Sequence, residues 1–392
     1  SFRNFEGIMF TSDFFYPLPE EQIAKFPVQP RDASRLLVYR NGTISDSEFL
    51  NLPNELPGNA LLVSNESKVV AARLLAQRES GAGIEVFLLK PQGKTMEEAL
   101  SETNAVVWEA MVGNKKRWKE GESIRVIELP EVKIAWENRE ENTVRLEWKE
   151  ALHMQMADIL ERAGKVPLPP YLNREAQPED KQHYQTIFAK QRGSVAAPTA
   201  SLHFTERILK ALEAQGIGRC NVTLHVGAGT FKPVTAENML EHKMHSEYFA
   251  VSGETLRQLA NHEGPVVPLG TTAFRTLESL FWVAQSGLTM VPQYPAREFP
   301  LRFSNRKLAF SALAEAYPNG LEGETEIFIY PGGPLHVADA LLTNFHQPGS
   351  SLIMLVAALI GEEWKRVYQH ALDSGYRFLS YGDASLLWRR AK

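Results

Sequence analysis

VTLHVGAGTF, residues 222–231, is a β-branched, apolar run that ends in a histidine and breaks into a glycine turn. Val222, Leu224 and Val226 alternate with Thr223, His225 and Gly227, the two-residue period of a strand. Gly227 and Gly229 permit a backbone path that Cβ-bearing residues resist, so another group can approach the main chain. A strand that delivers His225 to a turn closed by Thr230 is one way to build a site. A buried strand ending in a tight turn is the plain alternative, and the flanking segments decide between them.

On both sides of this strand the chain alternates helix and strand. Ile208, Leu209 and Leu212 form a helical stripe with Thr205 as cap and Gly216 as stop. Ser252 caps a helix carrying Leu256 and Leu259. Val266–Leu269 is a strand running straight into Thr271, Thr272 and a helix with Phe274, Leu277, Leu280 and Phe281. Ile327–Tyr330 reads as a further strand, Ser350 or Ser351 opens an apolar helix through Ile360, and Trp364–Leu372 makes another. The alternation predicts an α/β domain with a largely parallel or mixed sheet. Residues 289–324 read as an irregular excursion from it.

The first half has a different texture. Leu61–Ser64, Ile84–Leu89 and Val106–Val112 are short apolar runs bounded by turn residues. Val132, Ile134, Trp136 and then Val144, Leu146, Trp148 alternate with polar residues around a charged turn, a β-hairpin with one buried face. Strands in succession without helices predict a small barrel or sandwich over about residues 70–150. After Ala151, Leu152, Met156 and Ile159 recur at helical spacing and Gly164 stops the segment. Pro167, Pro169 and Pro170 then make a stiff, extended stretch. That stretch is either a linker or a means of presenting Tyr171 and Arg174 to a ligand.

Size and composition fit two domains of an ordinary globular protein: 392 residues, 44% hydrophobic, 23% charged. No apolar run approaches the length of a membrane span, and residues 1–15 lack the pattern of a secretory signal. Cys220 is the single cysteine, which excludes an internal disulfide and a cysteine-rich zinc site and fits a cytoplasmic location. The net charge of −5 argues against a protein held to nucleic acid by bulk charge, while leaving room for a local basic patch. Lys115, Lys116, Arg117 and Lys119 around Trp118 are the densest basic cluster, best read as a solvated hairpin turn.

Polar clusters sit at element ends in the second half. SVAAPTASLHF, residues 194–204, offers Thr199, Ser201 and His203 on a backbone with little bulk. EHKMHSE, residues 241–247, concentrates two histidines and two carboxylates, but the set of ligands a metal needs is not evident, so acid–base or positioning roles are favoured. Gly270-Thr271-Thr272 at a strand-to-helix junction places hydroxyls and free amides where ribose hydroxyls or a carboxylate would fit. Arg275 lies one turn on, facing the same ligand or pairing with Glu278. Thr343–His346 and Ser380–Asp383 complete five corners of one predicted cleft at the strand ends.

In order, RDASRLLV (31–38), AARL (71–74), PLPPYL (167–172), VAAPTASLHFT (195–205), VTLHVGAGTFKPV (222–234), HKMHSE (242–247), GTTAFRTLES (270–279), ALLTNFH (340–346), LIMLVAA (352–358) and YRFLSYGDASLL (376–387) make the chain resemble the S-adenosylmethionine:tRNA ribosyltransferase-isomerases of the queuosine pathway. The resemblance implies an α/β, mixed-sheet transferase domain, residues 1–69 and 151–392, with an inserted small β-barrel domain, residues 70–150. It implies transfer and isomerisation of the ribosyl part of S-adenosylmethionine onto 7-aminomethyl-7-deazaguanine at the tRNA wobble position. Epoxyqueuosine forms, and adenine and methionine leave. S-adenosylmethionine is then a co-substrate, no other cofactor and no metal is expected, and the partner is the tRNA anticodon stem-loop bound by a cytoplasmic monomer.

A sulfonium acidifies its neighbouring C5′ protons, so a base must remove one, while an acid assists adenine departure. Histidine suits either role and a carboxylate stabilises positive charge. His203, His225 and Glu247 are the expected reactive set, followed by His346 and Asp383. Arg31, Arg73, Tyr171, Thr199, Gly227, Gly229, Thr230, Thr271, Thr272, Arg275, Asn344 and Tyr381 are the expected substrate contacts. Arg31, Arg35, Arg73, Arg174 and Arg275 are expected to meet RNA. The chain departs from the family pattern at Glu66, Lys68, Gly333 and Gly349. A paralogue with another acceptor and a non-catalytic RNA-binding protein are the alternatives, the latter disfavoured by His203, His225, Glu247 and Asp383.

Overall fold

A computed structural model of the chain describes residues 9–227, 234 and 236–390. Two compact units emerge: residues 1–67, 186–189 and 198–392 form the first, and residues 68–185 and 190–197 the second. The second unit thus runs well past residue 150, where the strand pattern alone ends it. The helix Met156–Ala163 explains why: its Met156, Ile159, Leu160 and Ala163 are buried in the same core as the barrel strands.

The first unit is built on a ten-stranded mixed sheet. Its order is Met290–Val291, Gly320–Thr325, Glu247–Ser252, Gly218–Leu224, Leu61–Asn65, Val266–Leu269, Ala340–Asn344, Ala384–Trp388, Arg35–Arg40 and Thr43–Glu48. The four central strands, from Gly218–Leu224 to Ala340–Asn344, are parallel. Glu247–Ser252 on one side and Ala384–Trp388 on the other run against them, and Arg35–Arg40 pairs parallel with Ala384–Trp388.

Both faces of this sheet are covered. Leu36, Val38, Leu62, Val267, Leu269, Leu342 and Leu386 point into one core with Ile208 and Leu212 of the helix Glu206–Ala214. The other face carries the long helix Gly270–Ser286, which touches all four central strands. Leu269 passes directly into that helix because Gly270 adopts φ +85°, a conformation that L side chains resist. Thr205, Ser252 and Ser350 cap their helices through side-chain oxygens, as the sequence predicts.

Two expectations are corrected here. Residues 289–324 are not irregular: they contain the helix Arg306–Ala316 and two strands of the sheet. Gly320 and Gly323 hid the second strand, because Cβ atoms there would lie 2.5 Å from the Val251 carbonyl and 2.2 Å from the Thr289 carbonyl. Conversely, Ile327–Tyr330 is not a strand. Its apolar side chains are largely buried, but the Phe328 amide donates to the Gln293 carbonyl at 3.0 Å outside any ladder.

The second unit is a closed antiparallel barrel. Arg73–Gln77, Gly83–Pro91, Ala105–Gly113, Thr143–Glu147, Lys133–Asn138 and Ile124–Val126 pair in that order, and Ala76 against Val126 closes the ring. Alternate residues Leu74, Ala76, Ile84, Val86, Val106, Trp108, Ile134, Val144 and Leu146 fill it. Gly164 ends the adjoining helix and pairs with Leu74; a Cβ there would meet the Ala71 carbonyl at 1.9 Å. Trp118 is fully buried and stacked on Trp136 at 4.3 Å, so the basic turn Lys115–Arg117 offers no free indole.

Phe274 is fully buried where the long helix meets the sheet. Phe274→Ala is expected to cost about 3–5 kcal/mol, read as a lowered urea midpoint with an unchanged slope.

Candidate active site

Strand direction gathers the polar residues. The parallel strands end at Leu224, Asn65, Leu269 and Asn344, and on that same edge the antiparallel strands begin at Glu247, Ala384 and Arg35. His225, Gly270, Asn344, His346, Glu247, Asp383 and Arg31 therefore all lie at or just beyond one edge of the sheet. This is the edge at which open α/β sheets bind ligands.

Two groups form there. In the first, the buried His203, on the turn Thr199–His203, is held at both ring nitrogens: Ser34 Oγ lies 2.8 Å from Nδ1 and Asn344 Nδ2 lies 3.3 Å from Nε2. The Asn344 amide is oriented from both ends, accepting from Thr199 Oγ1 at 2.8 Å and donating to the Asp383 carbonyl at 3.4 Å. Nε2 of His203 is thus an acceptor and Nδ1 carries the proton. Burial pushes this imidazole down to about 4, with a hydrogen bond to the Arg31 backbone opposing it and the Arg377 and Arg31 charges adding to it, so it is neutral at pH 7.

Asp383 is expected from the sequence to react. Its carboxylate accepts the Arg35 amide at 3.1 Å on one oxygen and the Arg377 amide at 2.8 Å on the other. That geometry ties two chain segments together. His346 is half-buried, with Nε2 2.9 Å from Thr343 Oγ1, its amide donating to Tyr368 Oη at 3.0 Å and its carbonyl accepting from Tyr16. Burial pushes it down to about 3.

The second group surrounds His225. Ser67 Oγ lies 2.8 Å from its Nδ1, and its ring stacks on Tyr248 with centroids 5.3 Å apart. Burial pushes it down to about 4. Asn65, fully buried, fixes the end of the strand by exchanging two 3.0 Å bonds with the Leu224 backbone. Glu247, buried, pairs with Arg275 and accepts the Gly227 amide at 3.4 Å. The two groups stand three strands apart, about 14 Å at the usual strand spacing. Between them lies the head of the helix Gly270–Ser286 with Thr271 and Thr272.

Tyr381 is buried beside Asp383. Gly229 and Thr230 lie outside the described residues. Arg73 and Tyr171 belong to the barrel unit, where Arg73 makes a bidentate pair with Glu85 at 2.6 and 2.8 Å and Tyr171 lies on the turn Pro170–Leu172. Arg174 is held by Asp180 at 2.7 and 2.8 Å, and Arg35 lies 3.8 Å from Asp46. With Arg275 on Glu247, four of the five arginines expected to meet RNA already face carboxylates. Ser34 and Ser67, which hold the two histidines, escape a sequence reading: nothing in the spacing connects either to its partner. Among the described residues, no three His, Cys, Asp or Glu side chains are grouped to hold a metal ion. No described helix is long and apolar enough to cross a membrane.

The family model described as "Queuosine biosynthesis protein" matches residues 11–387. The chain belongs to that family. Among its relatives, one from Azoarcus sp. is 40% identical over 96% of this chain and 97% of its own length, and one from Chlorobium luteolum is 38% identical over 97% and 100%. Both are named S-adenosylmethionine:tRNA ribosyltransferase-isomerase, so the queuosine biosynthesis family to which the chain belongs is one of enzymes. A solved structure described as S-adenosylmethionine tRNA ribosyltransferase from Thermotoga maritima is 28% identical, covers 96% of this chain and 99% of its own, and has a TM-score of 0.48.

The neutral His203 has a consequence for stability. Its folded value near 4 lies below the ordinary 6.5, so as pH falls the unfolded chain takes up the proton first. Stability is therefore lost between about pH 6.5 and 4, by on the order of 3 kcal/mol for this group. Urea midpoints measured from pH 7 to 4.5 are expected to fall less steeply for His203→Gln than for the parent.

Proposed function

We propose that the enzyme transfers and isomerises the ribosyl group of S-adenosylmethionine onto 7-aminomethyl-7-deazaguanine at the wobble position of a tRNA. The products are epoxyqueuosine in tRNA, adenine and methionine. The observation that carries this reading is the pair of histidines held by Ser34 and Ser67 on one sheet edge, in a chain of the queuosine biosynthesis family.

His225 is the base in this reading. Ser67 holds Nδ1, and Nε2 has no hydrogen-bond partner among the described residues. Burial keeps the ring unprotonated at pH 7, so Nε2 is open to accept a C5′ proton next to the sulfonium, as a weaker base than an exposed histidine. His203 has both nitrogens engaged and serves to orient the adenosine end through the Thr199–Asn344 network. Glu247 and the helix head set the electrostatics between the two groups. His346 lines the rim, and Asp383 fixes the segments that carry Arg35 and Arg377.

Catalysis in this scheme uses no metal and no cofactor beyond the co-substrate, whose sulfonium supplies the electrophilic activation. The acceptor is presented on an anticodon stem-loop with its reacting base turned out of the stack, and the enzyme acts as a cytoplasmic monomer. With Arg35, Arg73, Arg174 and Arg275 each facing a carboxylate, few of the expected arginines are left to neutralise phosphates, so stem-loop binding is shallow in salt.

Incubation with S-adenosylmethionine and tRNA bearing the deazaguanine, followed by mass spectrometry of the nucleosides, is expected to show epoxyqueuosine. His225→Ala is expected to lower kcat roughly 10²–10⁴-fold with little change in S-adenosylmethionine binding. A product lacking the epoxide, or a fully active His225→Ala, would count against the scheme. Activity is also expected to survive chelation once magnesium needed by the tRNA is restored. Dependence on one other divalent ion would refute the metal-free step.

A further inference from the structure

Arg275 is spent unevenly. Its Nη1 meets Glu247 and its Nε donates to the Ile327 carbonyl at 3.3 Å, but Nη2 is buried and has no hydrogen-bond partner among the described residues. The residue is 8% exposed. Buried guanidinium nitrogens are almost always paired, with protein, water or a ligand.

The direction of this side chain is set by the helix. Side chains in an α-helix lean toward its N-terminus and cover the turn before their own Cα. Arg275 is three and four residues beyond Thr272 and Thr271, so it shares one helix face with the first turn of the helix Gly270–Ser286. That turn has Leu269 at the cap position and no side-chain cap. Thr272 Oγ1, also buried, likewise has no hydrogen-bond partner among the described residues.

A second such hydroxyl belongs to a neighbouring segment. Ser201 is fully buried, and its Oγ has no partner among the described residues. It follows Ala200, whose Cβ is 3.5 Å from where a Cβ on Gly270 would stand. Thus two buried hydroxyls, a guanidinium nitrogen and the open amides of a long helix belong to adjoining segments around this helix head. Donors of this kind, with the positive end of the helix dipole behind them, select an anion. Glu247 fixes the guanidinium through Nη1, leaving Nη2 to the ligand.

We propose that the first turn of the helix Gly270–Ser286, with Thr272 Oγ1 and Arg275 Nη2, binds the carboxylate at the amino-acid end of S-adenosylmethionine. The inference rests on the co-substrate assigned above. It also orients that co-substrate: the amino-acid end lies at the helix head, and the adenosine end extends toward His203 and Asn344.

The test deletes the carboxylate from the ligand, so the protein stays intact. Binding of S-adenosylmethionine and of its decarboxylated analogue is measured by calorimetry on the full chain. The analogue is expected to bind roughly 10- to 100-fold more weakly. Thr272→Val is expected to weaken S-adenosylmethionine several-fold and leave the analogue unchanged. Equal affinity of the parent protein for both ligands overturns the carboxylate site while leaving the proposed reaction standing. Absence of S-adenosylmethionine binding overturns both. A Thr272→Val protein that loses anticodon stem-loop affinity, but not S-adenosylmethionine affinity, assigns the helix head to an RNA phosphate and overturns the proposal.

Discussion

Strand direction is the constraint on which the site depends. Four parallel strands deliver Asn65, His225, Gly270 and Asn344 to one edge of the sheet, and strands of opposite direction start there with Glu247 and Asp383 in front of them. Were Glu247–Ser252 parallel to its neighbour, Glu247 would lie a strand's length away from Arg275. The mixed topology thus doubles the number of chain segments that reach the edge. It lets residues far apart in the chain share hydrogen bonds, as Asn344 does with Thr199 and Asp383.

The chemistry at that edge is tuned by burial more than by charge. His203, His225 and His346 are each pushed below the ordinary histidine range chiefly by loss of solvent. Each ring meets a hydroxyl: Ser34, Ser67 or Thr343. Neutral hydrogen bonds fix a ring's orientation without adding a charge that would hold a proton on it. Charge is concentrated in the Glu247–Arg275 pair, where a removed partner would leave a buried ion uncompensated.

Much of the architecture is legible in the sequence because local signals agree with the final packing. The caps at Thr205, Ser252 and Ser350, the alternation of Ile134 and Val144, and the strand into His225 all carry their periods into the fold. The failures share a physical cause. Gly320 and Gly323 make a strand that lacks side-chain periodicity because neighbouring backbones come too close for a Cβ. Ile327–Tyr330 has the residues of a strand, but its backbone pairs with Gln293 instead. Ser34 and Ser67 gain their meaning only from partners far along the chain, as do the carboxylates that occupy Arg73 and Arg174. Sequence types the side chain; it does not say whether a partner has already claimed it.

The pairing of Arg35–Arg40 with Ala384–Trp388 joins strands far apart in the sequence. During synthesis the earlier strand waits for a neighbour made more than three hundred residues later. At roughly 5–20 residues per second that delay is on the order of tens of seconds. The barrel, all of whose strands lie between Arg73 and Glu147, has its full complement long before then. The nascent chain therefore carries a finished barrel together with an open, hydrophobic sheet margin. Its vulnerability to self-association on the ribosome is greatest just before the last strand emerges.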